Sequence, residues 1–109
     1  MRLGITEVID CAHFLPGHTK CGQLHGHTYT VEVVIEGEKS GGGMIVDFNE
    51  LKTRTREVLQ RYDHRNWNDF LEFPSVENIC ELISTRLRER LAFPFVVRVW
   101  EGKGKWAEL

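Results

Sequence analysis

The chain has 109 residues, 41% of them hydrophobic and 28% charged, with a formal net charge of −2. That length and composition predict one globular domain over residues 1–109. The balance excludes two classes. No clustered positive field exists to grip a nucleic-acid backbone, and the apolar runs are too short to cross a membrane.

Met1-Arg2-Leu3-Gly4 lacks the apolar centre of a secretory signal. Cys11, Cys21 and Cys80 are an odd number of cysteines without framework spacing, so free thiols and a cytoplasmic location are expected. Residues 2–14 read as a first strand with Leu3, Ile5, Val8 and Ile9 as its apolar content. Its alternation falters around Thr6–Asp10, which suggests a bulge. Pro16-Gly17 breaks it, and residues 15–22 form a loop carrying His18, Lys20 and Cys21.

From Leu24 to Glu36 the alternation is clean. Tyr29, Val31, Val33 and Ile35 share one face, with Thr28, Thr30, Glu32 and Glu36 on the other. Residues 37–43 form a turn with three consecutive glycines. Asp47 with Glu50 three residues on is close to a capping box. A helix follows through Leu51, Thr55, Val58, Leu59 and Tyr62, ending near Tyr62. A polar loop, Asp63 to Asp69, leads to Pro74-Ser75, where Ser75 caps a second helix. That helix has an Ile79, Leu82, Ile83, Leu87, Leu91 stripe and a solvated outer face. Pro94 ends it. Residues 95–101 alternate as a third strand with Glu101 on the Phe95/Val97/Val99 face. Gly102-Lys103-Gly104 then turns into a short last strand from Lys105. The order β-β-α-α-β-β predicts an α+β fold, one antiparallel sheet backed by two helices.

Three clusters carry chemistry. His25 and His27 project from the same face of a strand, and His13 ends the neighbouring one. Three imidazoles suit zinc, also tolerate iron, copper or nickel, and leave a fourth position open, as a working metal needs. The alternative is a pair of polar residues at a core edge. Cys21 lies in a polar loop beside Lys20 and the metal candidates, a setting that favours thiolate. Asp63-His64 past a helix end is either a turn pair or an imidazole oriented by a carboxylate. Sequence separation does not decide whether it meets Cys21. Glu101 on an apolar strand face needs a partner. Two parallel donors on the edge of a pterin or guanine would satisfy it, and so would Lys103 or Lys105. Cys11 and Cys80 are expected to be core thiols, and His18 and Lys20 loop-surface residues.

Taken in order, these pieces resemble the 6-pyruvoyl-tetrahydropterin synthase / 6-carboxy-tetrahydropterin synthase family. They are Ala12-His13, Cys21-x-x-x-His25-Gly26-His27, Met44-Ile45-Val46-Asp47-Phe48, Asp63-His64-Arg65-Asn66-Trp67-Asn68-Asp69, Pro74-Ser75-Val76-Glu77-Asn78 and Val99-Trp100-Glu101. The resemblance implies the tunnelling (T-fold) architecture, with subunits joined edge to edge into barrels, as a trimer or dimer of trimers. It implies Zn2+ on His13, His25 and His27, catalysis by Cys21 with Asp63 and His64 from a neighbouring subunit, and a pterin anchored by Glu101.

The implied substrate is 7,8-dihydroneopterin triphosphate. In the carboxy branch, triphosphate and acetaldehyde are released and 6-carboxy-5,6,7,8-tetrahydropterin remains, feeding 7-deazaguanine (queuosine or archaeosine) synthesis. The short chain favours that branch. The missing glutamate between Cys21 and His25 disfavours the folate-linked branch, in which an acid replaces the thiol. Gly102 departs from the threonine the family often carries after the glutamate, which touches fine positioning of the pterin. Competing readings are a 6-pyruvoyl-tetrahydropterin synthase, a dihydroneopterin aldolase-like enzyme, a pterin- or metal-binding module without turnover, and a structural zinc protein.

Overall fold

The computed structural model describes all of residues 1–109. Strands β1 (Arg2–His13) and β2 (His25–Glu36) are followed by helix α1 (Phe48–Leu59), a short 3-10 turn (Trp67–Asp69) and helix α2 (Val76–Arg88). Strands β3 (Phe95–Glu101) and β4 (Trp106–Glu108) close the chain. The strands lie in the order β1-β2-β3-β4, antiparallel throughout. Both helices are thus inserted between two strands that are spatial neighbours. The expected β-β-α-α-β-β order and sheet-plus-helices packing are observed.

Local chemistry starts each helix where the sequence places it. The Asp47 carboxylate accepts from the Asn49 N–H, and the Ser75 hydroxyl accepts from the Asn78 N–H. Each satisfies a donor that the first helical turn leaves free. Alternate residues of β2, from Tyr29 to Ile35, turn inward with Val97 and Val99 of β3 against Leu51 and Leu59 of α1 and Ile83 and Leu87 of α2. Ile83 and Leu87 are fully buried, so truncating either to alanine costs about 2–5 kcal/mol.

Four details differ from the sequence reading. Strand β1 carries no bulge: its pairing with β2 runs unbroken from Arg2↔Glu36 to His13↔His25. The alternation falters because Glu7, not Val8, occupies the inward position between Ile5 and Ile9; Glu7 is buried and Val8 exposed. The helical hydrogen bonding of α1 ends at Leu59, and turns continue to His64. Trp67–Asp69 is a 3-10 turn rather than irregular loop, because the Asn66 side chain accepts from the Asn68 N–H. Helix α2 stops at Arg88, and Leu91 packs on the core from beyond it.

The unbroken register matters for the site. It sets His13, the last residue of β1, directly opposite His25, the first of β2, and sets Tyr29 opposite Glu101 of β3. All these side chains share the inward face at one end of the sheet.

Candidate metal centre and active site

The nitrogens of His13, His25 and His27 that face one another lie within 4.8 Å. His13 Nε2 and His25 Nε2 are 3.0 Å apart. The His13 Nδ1–H donates to the Pro74 carbonyl at 2.8 Å, and the His25 Nδ1–H donates to the Gln23 carbonyl at 2.7 Å. A carbonyl only accepts, so these contacts assign both protons to Nδ1. Two lone pairs then face each other across 3.0 Å, an arrangement that a cation between them relieves. His27 Nε2 is buried with no hydrogen-bond partner, a costly state for a polar atom unless something binds it. The donor set therefore fits zinc: neutral imidazoles with their second nitrogens held by carbonyls.

Glu101 closes the group. Its Oε1 is 3.6 Å from His27 Nε2 and 3.6 Å from Lys105 Nζ, and its Oε2 is 3.9 Å from His13 Nε2. The carboxylate thus faces His13, His27 and Lys105 together. Burial holds the His27 imidazole below its ordinary pKa, against the pull of Glu101 and with the help of the neighbouring His13 and His25. His27 therefore stays neutral, and a competent ligand, to a lower pH than a free histidine.

The loop between β1 and β2 carries Cys21, half-buried. Its carbonyl accepts from the Leu15 N–H at 2.7 Å, and its own N–H donates to His18 Nδ1 at 3.0 Å. His18 is thus a strut of the loop, beyond the surface role expected of it. Asn68 ties down the start of the same loop by bonding both the N–H and the carbonyl of Phe14, each at 2.9 Å. Of the other thiols, Cys11 is pushed up to about 12 by burial and Cys80 is raised by burial too. Both are poor nucleophiles and behave as the expected core thiols, which leaves Cys21 as the thiol with access.

Asp63 and His64 form a separate group. Asp63 Oδ1 lies 2.9 Å from His64 Nδ1 and also accepts from the Asp10 N–H at 3.0 Å. His64 has φ of 63°, a left-handed conformation uncommon outside glycine. Its N–H donates to the Asp10 carbonyl at 2.7 Å. The strained turn therefore props the imidazole against the free edge of β1, with the ring 79% exposed. Beside it, the small opposed residues Ala12 and Gly26 leave an open hollow of about 530 Å³ on the outer face of the sheet. Within one chain, His13, His25, His27 and Glu101 come together and Asp63 pairs with His64. Neither group is in hydrogen-bond or ion-pair contact with Cys21.

Sequence reasoning missed Asp10, whose carboxylate binds the Thr28 hydroxyl and lies within 4.8 Å of the ligand atoms of Asp63 and His64. It also missed Glu7. The signal that singled out Glu101, an acid on an inward strand face, was present at Glu7 and was hidden by the expected bulge. The carbonyls of Pro74 and Gln23 leave no trace in residue identity.

A family model described as 6-pyruvoyl tetrahydropterin synthase matches residues 2–109. A putative 6-carboxy-5,6,7,8-tetrahydropterin synthase of Archaeoglobus fulgidus is 43% identical over 109 residues, covering 100% of this chain and 95% of that protein. A dihydroneopterin monophosphate aldolase of Pyrococcus furiosus is 40% identical over 90 residues, covering 80% of this chain and 78% of that protein. The structure of Caenorhabditis elegans 6-pyruvoyl tetrahydropterin synthase superposes with a TM-score of 0.91 at 22% identity, over 100% of this chain and 94% of that one. That likeness carries the fold, the T-fold expected from the sequence. This chain belongs to the 6-pyruvoyl tetrahydropterin synthase family.

Proposed function

We propose that this chain is a zinc-dependent lyase of the 6-carboxy-5,6,7,8-tetrahydropterin synthase type. It converts 7,8-dihydroneopterin triphosphate and water to 6-carboxy-5,6,7,8-tetrahydropterin, acetaldehyde and triphosphate, and works in the cytoplasm in 7-deazaguanine synthesis. The carrying observation is the triad of neutral imidazoles facing Glu101. The full-length likeness to the Archaeoglobus protein favours the carboxy branch.

His13, His25 and His27 hold the zinc, which supplies Lewis acidity to side-chain hydroxyls of the substrate. Glu101 accepts two parallel N–H bonds from the pterin edge and so fixes the ring relative to the histidines. The Cys21 thiolate takes and returns protons on the substrate side chain. His64 relays them through Nε2, because its Nδ1 is engaged by Asp63.

The dyad comes from a second copy of the chain in a homo-oligomer, a trimer or a dimer of trimers. Two features support this. Asp63 and His64 do not contact Cys21 in one chain. The outer edge of β1 is covered from Val8 to Ala12, by Arg56, Asp63 and residues 64–66, and the strand edge before Val8 is a template for pairing.

The Pyrococcus relative favours one second reading, an aldolase acting on dihydroneopterin or its monophosphate. The deciding experiment incubates zinc-loaded protein separately with the triphosphate and the monophosphate, and reads products by mass spectrometry. Carboxytetrahydropterin with acetaldehyde supports the lead reading. Glycolaldehyde moves the protein to the aldolase branch, pyruvoyl-tetrahydropterin to the pyruvoyl branch. No conversion with metal bound would sink the enzymatic reading.

A further inference from the structure

Arg56 lies in the last turn of α1, and each nitrogen of its guanidinium goes to a different acceptor. Nε is 3.3 Å from Glu7 Oε1, Nη2 donates to the Val8 carbonyl at 3.1 Å, and Nη1 is 3.8 Å from Asp63 Oδ2. Glu7 is 9% exposed on the inward face of β1, and Arg56 is the only cation paired with it. Glu7 Oε1 is buried without a hydrogen bond, so its ion pair with the guanidinium is what offsets the cost of burying that carboxylate. The planar fork then has one remaining corner, which meets the Asp63 oxygen that does not face His64.

We propose that Arg56, seated by Glu7 and the Val8 carbonyl, is a positioning residue for His64: it fixes the Asp63 carboxylate so that Oδ1 holds the imidazole. Building on the role proposed for His64, this places the control of that ring on α1 and β1 rather than on the exposed turn. Without Arg56, Asp63 keeps the Asp10 N–H but loses the contact that stops its carboxylate from rotating. The charged groups around the ring are Asp63 on the turn, Asp10 on β1 and the adjacent Arg65, with Arg56 on α1 reaching only the far oxygen of Asp63.

The test uses the metal-loaded full chain. Arg56→Gln is expected to lower kcat about tenfold, with KM within about twofold and metal content unchanged. Arg56→Lys is expected to recover part of the loss, since an ammonium keeps the charge but not the fork. In a His64→Ala background, Arg56→Gln should change kcat by less than about twofold, because a residue acting through His64 has nothing left to act on. Equal loss in both backgrounds would mark a purely structural role and overturn the assignment, as would an unimpaired Arg56→Gln enzyme.

A readout free of turnover separates this inference from the functional reading. The His64 ring, followed by its nitrogen shifts in NMR, should lose its preference for the Nδ1–H tautomer in Arg56→Gln, because the freed Asp63 carboxylate no longer holds that proton. An unchanged tautomer overturns the positioning role. A lost preference in a protein that converts no pterin keeps the role and removes only the functional reading.

Discussion

The histidine triad and the Asp63–His64 pair are both polar groups at the same end of the sheet, but they are held in different ways. His13 is 1% exposed and His27 23% exposed, each on a strand, and backbone carbonyls fix His13 and His25. His64 is 79% exposed on a strained turn, oriented by one carboxylate. The geometry of the three histidines is thus built by strand register within a single chain. Asp63 and His64, the proposed proton-transfer pair, lie at its rim, where the proposed second copy would close over them.

The largest effect should come from breaking the preformed side. His27→Ala removes a proposed zinc ligand while leaving the Leu, Ile and Val core intact, so it should cost about 10³-fold or more in activity. Metal content should fall with it, and the circular-dichroism spectrum should not change. The same contrast predicts that chelation inactivates the protein without unfolding it, because an aliphatic and aromatic core running from Ile9 to Val99 packs independently of a metal. Unfolding on chelation would instead identify a structural zinc.

The rim side is tested by separating its parts. Cys21→Ala should lose about 10²–10⁴-fold with zinc retained. Mixing Cys21→Ala chains with His64→Ala chains after co-refolding is the sharper experiment. If each site takes Cys21 from one copy and His64 from another, random assembly restores roughly a quarter of wild-type activity. A site complete within one chain gains nothing from mixing, and that outcome would dissolve the comparison.

A smaller effect is expected inside the loop between the two groups. A Cβ on Gly22 would lie 2.1 Å from the His18 carbonyl oxygen, a backbone atom that cannot swing aside. Gly22→Ala must therefore displace the segment that Leu15, His18 and Cys21 bind together. About tenfold lower kcat with metal content unchanged is expected, since small misplacements of a reacting group are costly. Activity equal to wild type would mean that the position of Cys21 does not depend on this loop geometry.

What was legible in the sequence follows the same division. His25 and His27 could be read because a strand repeats every two residues, and the same count put Glu101 on their face. Asp47 and Ser75 were legible as caps because capping is local chemistry. The Glu7–Arg56 pairing was not, because it joins residues 49 positions apart and the guanidinium's three acceptors are fixed only once α1 lies against β1. Nor was the separation of Cys21 from Asp63 and His64, which depends on where the turn after α1 meets the edge of β1. The His64 backbone conformation was equally hidden, since a histidine with positive φ carries no sequence signature.

The smallest prediction concerns pH and the metal-free protein. Burial lowers the His27 pKa in the folded state, whereas the unfolded chain titrates near the ordinary value of about 6.5. Above that value both states are neutral and His27 contributes nothing to pH dependence. Below it the unfolded state takes up a proton that the folded state refuses, so stability falls as pH falls. The slope is at most about 1.4 kcal/mol per pH unit, and the loss ends once the pH passes the lowered folded value. Urea midpoints of metal-free protein at pH 7.5 and 5.5 should therefore differ, with the lower pH less stable, and His27→Gln should shrink the difference. A midpoint that rises on acidification would reverse the sign. It would mean that the attraction of Glu101 outweighs burial, that the two form an ion pair without metal, and that zinc must displace a proton from His27 before it can bind.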